Sequence, residues 1–268
     1  MTRVSVELVP RSRSALRAEL QAVAEHLPGI DTVNVPDLTR FSTRSWHGCA
    51  FARPRYRAIP HIRAVDLNPR EPLQMAAHLD EHGLDEVLII SGDAPADMSA
   101  RVYDVDAITA IRRFTQELPH VRVYAGLDPY RQSLAREQGY LERKLEAGAV
   151  GFFTQPFFDL RLMEAYADLI PLAAEVWWGA TSVTEEGSLN YWRTRNHAVF
   201  PRRFQPTLEW NRHLASQVLA FARERDQHAY FMPVRADTLA YLGACCSRCR
   251  DRTPATLPDR PFRPATHS

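Results

Sequence analysis

Residues 144–159 read KLEAGAVGFFTQPFFD, and this stretch decides the fold. Lys144, Leu145 and Glu146 close a helix. Gly148 stops it, because glycine accepts the left-handed turn at a helix C-terminus without a steric penalty. Val150, Phe152 and Phe153 then make an apolar run too short for a helix and bounded by turn signals, which predicts a buried strand. Thr154 and Gln155 end that strand before Pro156, which biases Gln155 towards extended backbone and withholds a donor. An amide side chain therefore stands at the C-terminal end of a buried strand. In a parallel α/β barrel that end is the active-site rim. By itself the stretch fits a simple strand with a polar cap just as well.

Outward from this unit the same alternation repeats. Val4, Val6 and Leu8 predict a first strand, and Leu16, Leu20, Val23 and Leu27 a helix closed by Pro28-Gly29. Further strands are expected at 30–35, 58–65, 86–90, 121–125, 175–180 and 228–232. Between them come helices at 72–82, over Val105 to Leu118, over Leu134 to Leu145, at 160–169 and over Trp210 to Phe221, with a last one at 237–242. Two segments read as irregular, 36–56 and 181–206, the second with a short helix near Leu189 to Arg193. Buried apolar runs alternating with amphipathic helices predict a parallel sheet. Eight units in 268 residues favour a closed (β/α)8 TIM barrel over an open sheet. The expected organisation is one catalytic barrel over 1–244 and an Arg/Pro/Cys-containing tail over 245–268.

Composition narrows the function. Hydrophobic residues make up 45% and charged residues 24%, as in ordinary globular chains. A net charge of +1 gives no electrostatic case for a nucleic-acid partner. No run approaches the roughly 18 apolar residues of a membrane span, and the N-terminus lacks the apolar core of a secretory signal. A cytoplasmic protein without a membrane partner is expected, and self-association into a homo-oligomer stays open. No GxGxxG follows the first strand and no P-loop is present. Cys49, Cys245, Cys246 and Cys249 do not read as a disulfide framework. His47 and Cys49 could in principle join the Cys-x-x-Cys pair on zinc, but free thiols are the simpler expectation and no metal ligand is assigned. Trp177, Trp178, Tyr191 and Trp192 suggest an aromatic cluster, expected mainly in the core, and 181–206 could serve as a lid.

Polar residues stand near several strand ends: Glu7, His61, Asp93, Tyr124, Gln155 and Arg235. Convergence at one barrel face is what an active site needs. The segments VSVEL, AIPHIRAVDLNP, LIISGDAP, VYAGLDP, KLEAGAVGFFTQPFFD and HAYFMPVRADTLAYL resemble, in order and spacing, those of the methylenetetrahydrofolate reductase family in its bacterial, single-domain form.

That resemblance covers about 4–242 and implies an oxidoreductase of one-carbon metabolism. Such an enzyme reduces 5,10-methylenetetrahydrofolate to 5-methyltetrahydrofolate with NADH or NADPH, relaying hydride through FAD. It implies Glu7 as general acid, which requires its pKa to be raised by burial, and Asp93 as a catalytic carboxylate beside flavin and pterin, whose negative charge favours the cationic iminium. Gln155, Phe157 and Arg235 match substrate contacts, and His61, Asp93, Tyr124 and Lys144 flavin contacts. Three departures weaken the flavin expectation. Asn34 stands where relatives have threonine, Ser91 where they have arginine, and Asp128 where they have histidine. Arg131, Arg136 and Arg143 are the candidates to compensate. Flavin-free hydride transfer from the nicotinamide is the first alternative. A folate-dependent one-carbon transferase and a non-catalytic folate- or flavin-binding barrel are the others. No regulatory domain follows the eighth strand in the sequence, so no adenosylmethionine control is expected.

Overall fold

The apolar runs become eight strands in the computed structural model, which describes residues 1–93, 101–234 and 236–246. In chain order the elements are β1 (Val4–Glu7), α1 (Arg13–His26), β2 (Thr32–Val35), α2 (Ser45–Ala52) and β3 (Arg57–Arg63). After a 3-10 turn at Ala64–Asp66 come α3 (Ala76–Glu81), β4 (Glu86–Ile90), α4 (Ala107–Glu117), β5 (Arg122–Leu127) and α5 (Leu134–Glu146). The chain continues through β6 (Gly151–Thr154), α6 (Leu160–Leu169), β7 (Glu175–Thr181), α7 (Glu186–Arg195), α8 (Leu208–Glu224), β8 (His228–Met232) and α9 (Thr238–Cys246). Every strand pairs in parallel with the next, and β8 pairs back onto β1 with Ser5 opposite Tyr230, closing the barrel.

Strand alternation splits the core in two. Inward-facing Ile59, Leu88, Tyr124, Phe153, Trp177, Tyr230 and Met232 fill the barrel. The rings of Phe153 and Trp177 stack at 4.7 Å, and Tyr124 meets Phe153 edge-on at 5.3 Å. The opposite strand faces carry Val6, Val33, Val87, Val123, Phe152, Trp178 and Phe231 into the larger layer beneath the helices. Ser12, Asp106, Asp159 and Thr207 cap their helices through side-chain oxygens.

The unit at 144–159 folds as its residues dictate. Gly148 takes φ 109° after α5, while the Ala149 amide bonds the Lys144 carbonyl at 3.0 Å. The segment 36–56, expected to be irregular, contains α2 instead. Its amphipathic pattern is weak because Ser45, Trp46, Gly48, Cys49 and Ala52 are all buried, so no solvent face shows the 3.6 period. Gly48 is required there, since a Cβ would stand 2.8 Å from Val35 Cγ1. Helix α9 runs through Cys246, so the expected boundary at 244 falls inside a helix. Cys249 and the rest of the tail lie outside the described residues. No helix among the described residues is long and apolar enough to cross a membrane.

Candidate active site at the rim of the barrel

The C-terminal strand ends gather a chain of polar side chains inside the barrel. Glu7 is the last residue of β1, and Tyr230 of the adjoining β8, opposite Ser5, reaches along the barrel so that its hydroxyl donates to Glu7 Oε2. On the other side His61 Nε2 lies 4.0 Å from Glu7 Oε2 and 3.3 Å from Asn34 Nδ2. The Ser5 hydroxyl donates to Asn34 Oδ1 and ends the chain.

Burial sets the charge state of this group. The Glu7 side chain is only 16% exposed. Removal from water disfavours the carboxylate and pushes its pKa up to about 7, against the opposing pull of the Tyr230 hydroxyl. Burial likewise lowers His61 to about 3, so its imidazole is neutral at pH 7 and does not neutralise Glu7 as a cation would. A carboxyl group poised near neutrality can hold a proton and release it, which is the state a general acid needs.

The other expected residues divide. Gln155 is exposed at the end of β6, with its backbone amide bonded to the Leu127 carbonyl at 2.7 Å. Asp93 is exposed just beyond β4, and its carbonyl accepts from Arg63. Phe157 is not available to a ligand. It is fully buried against Tyr166 and Trp178 beneath the barrel wall, because its amide bonds the Gly179 carbonyl and turns the ring inward. Arg235 lies outside the described residues.

The residues expected to touch flavin are mostly buried. Tyr124 sits at the closed end of the barrel, where its hydroxyl donates to Glu175 Oε2 at 2.7 Å and lies 3.2 Å from Glu86 Oε1. Its position two residues before Gly126 places it one layer too deep for the rim. His61 is 5% exposed and engaged with Asn34. Lys144 reaches the wall from α5, but its ammonium bonds the Gly126 carbonyl at 2.6 Å and lies over the Tyr140 ring at 3.8 Å. Burial lowers its pKa to about 8. Of the three arginines proposed to compensate, Arg143 is turned to the Gly139 carbonyl and the Tyr140 ring, and Arg131 and Arg136 are exposed. Tyr124, His61 and Lys144 are thus each engaged within the protein, while Asp93 stands exposed on the rim.

Two contributors escaped the sequence analysis. Tyr230 is found by counting in twos from His228, which places it on the inner face beside β1. Arg63, the last residue of β3, stands beside the Ser91–Asp93 turn and lies 3.6 Å from Asp66. Its Nε is buried without a hydrogen-bond partner. Asp66 also bonds Arg44, which pairs with Asp37 and ties the loop after β2 across this side of the mouth.

The aromatic residues are structural. Trp177 fills the barrel, Trp178 packs on Phe221, and Trp192 meets Phe158, which stacks on Phe200. Tyr191 is 56% exposed. Cys49, Cys245 and Cys246 are buried, and the sulfurs of Cys245 and Cys246 lie 3.8 Å apart. His47 turns towards His78 rather than to a cysteine.

The sequence of the barrel matches the methylenetetrahydrofolate reductase family over residues 42–190, more than half of the chain. The chain belongs to that family. It is 26% identical over 117 residues to the 5,10-methylenetetrahydrofolate reductases of Escherichia coli and Shigella flexneri. That match spans 43% of this chain and 40% of each relative. Among solved structures, a protein from Clostridium thermocellum that binds two copies of 5-methyl-5,6,7,8-tetrahydrofolic acid superposes with a TM-score of 0.62. The superposition covers 92% of this chain and 95% of that one at 12% identity. A 2,3-dimethylmalate lyase follows with a TM-score of 0.57, 12% identity, and coverage of 93% and 79%. At such identities the likeness is one of fold. The family match begins after β1 and ends before β8, so Glu7 and Tyr230 rest on geometry and on the resemblance of their segments.

Proposed function

We propose that this protein reduces 5,10-methylenetetrahydrofolate to 5-methyltetrahydrofolate with hydride from NADH or NADPH. The observation that carries the proposal is Glu7, a buried carboxyl at the end of β1 held by Tyr230 with its pKa raised to about 7. The five-membered ring of the substrate opens when the N10–methylene bond breaks, leaving a cationic iminium at N5. Glu7 gives its proton to N10, whose lone pair would otherwise reclose the ring. The iminium carbon then accepts hydride and becomes the N5 methyl group, and the nicotinamide is oxidised. Solvent reprotonates Glu7 through the open mouth. Asp93, exposed on the rim, is suited to stabilise the cation, and Gln155 can both donate to and accept from a pterin edge.

The family implies FAD as relay. The placement of Tyr124, His61 and Lys144 supports direct transfer from the nicotinamide instead, so no step here passes through a flavin. The absorption spectrum of the purified protein, with and without added FAD, separates the routes. NADH-dependent folate reduction without a flavin spectrum, even after reconstitution, fits direct transfer. A bound flavin bleached by anaerobic NADH and restored by the folate would overturn the direct route and keep the substrate. Absence of folate reduction by either nicotinamide would overturn the activity, leaving transfer or binding functions on the same fold.

A further inference from the structure

The outer wall of the barrel carries a second cluster of chemistry-bearing side chains, on α2 and around α3. The run His78-Leu79-Asp80-Glu81 ends helix α3, and His82 caps it. Spacings of three and four residues put His78, Glu81 and His82 on one helix face. One ligand atom from each lies within 4.8 Å of the other two. The His78 and His82 rings stack at 4.1 Å. His47, from the neighbouring α2, meets the His78 ring at 4.7 Å with the planes at 81°.

We propose that His78, Glu81 and His82, completed by His47, bind one divalent transition-metal ion of the zinc class and tie α2 to α3. The His82 tautomer is already set for it. His82 Nδ1 is 3.1 Å from the His78 carbonyl, an acceptor only, so Nδ1 carries the proton and Nε2 keeps its lone pair. Such a bond to a carbonyl on one ring nitrogen orients the other towards a metal. His78 Nε2 is buried with no hydrogen-bond partner. An unpartnered buried nitrogen within a group of three imidazoles is a costly arrangement that a cation resolves.

Three imidazoles and one carboxylate select zinc, nickel or copper over calcium or magnesium, which take oxygen ligands. Closing the 4.8 Å spread onto a tetrahedral ion, with ligand bonds of about 2.0–2.2 Å, needs only side-chain adjustment on a short surface helix. The role of the ion is mechanical. Arg53, just after α2, already bonds the Gly83 carbonyl at 2.8 Å, so the two helices meet at this point, and a metal would clamp the helices flanking β3.

The test uses the full chain freed of metal by chelation. Calorimetric titration with Zn2+ is expected to show one saturable site. Titration with Co2+ is expected to give the visible bands of a tetrahedral nitrogen and oxygen site. His78→Ala and His82→Ala are each expected to weaken binding about tenfold or more, with unchanged far-ultraviolet circular dichroism. His47→Gln, at an exposed position, supplies a variant whose folding is secure, and it should weaken binding as well. Folate reduction should persist in all three. Failure of the parent to bind would overturn the site. So would undiminished binding in the variants, or a thiolate-to-cobalt charge-transfer band, which would place the ion on Cys245 and Cys246.

Discussion

At the closed end of the barrel, Arg3 forms two hydrogen bonds to Glu86, at 2.6 and 2.8 Å, and lies 4.7 Å over the Trp177 ring. Tyr124 bridges Glu86 to Glu175, which also meets Arg122 and His228. Arg3 and the other hydrogen bonds to Glu86 hold its pKa below the usual range despite burial, and His228 first among its partners holds Glu175 down to about 2. At the rim, Glu7 has a tyrosine and a neutral histidine for neighbours and is pushed the other way. The two ends bury the same residue type. What separates them is whether a guanidinium faces it. Paired carboxylates plug a barrel; an unpaired one is a proton store.

The largest effect expected from this contrast is on rate. Glu7→Gln removes the proton donor and should lower folate reduction by about 10²–10⁴-fold, measured as kcat, while the fold survives. Comparable activity in variant and parent would remove Glu7 from the chemistry. At the closed end Glu86→Ala strands the buried Arg3 guanidinium and should cost about 3–5 kcal/mol in urea unfolding. Folded variant should retain its rate per molecule. A rate loss with unchanged stability would erase the distinction between the two ends.

The pH dependence should also have opposite signs. Glu7 has its folded pKa raised from 4.5 to about 7. Its contribution to stability is therefore full below 4.5 and is lost as the pH rises through 7, by up to about 3 kcal/mol. Glu86 and Glu175, held low, contribute above their ordinary pKa and lose that contribution on acidification. Unfolding free energies of parent and Glu7→Gln between pH 4 and 9 check this, since only the parent should weaken on the alkaline side through this group. Activity that requires protonated Glu7 should likewise fall about tenfold per pH unit above 7. The smallest effect concerns Tyr230→Phe. Its hydroxyl lowers the Glu7 pKa, so the alkaline limb of the rate profile should move upward by about one unit or less. A downward shift would mean that Tyr230 favours the protonated acid.

Much of this was legible in the chain. β8 and α6 fall where their apolar runs and caps place them. Glu7 is recognisable as a strand-end carboxylate, and its buried state is the expected one. Tyr124 and Phe157 were not legible in the same way. Both lie in segments that point to the rim, but one residue of register turns a side chain to the other face, and two residues move it a whole layer along the barrel. Helix α2 was hidden because burial on nearly all sides removes the polar stripe by which a helix announces itself.

The sequence by itself determined the alternation of strands and helices, the closed barrel and the family, because periodicity, glycine stops and strand-end polar residues are local properties. The tertiary structure alone decided which polar groups meet. Arg3 and Glu86 are far apart in the chain, as are Glu7 and Tyr230, and His47 and His78. A pKa depends on what surrounds a group and on the water it has lost, and neither is a property of its sequence neighbours.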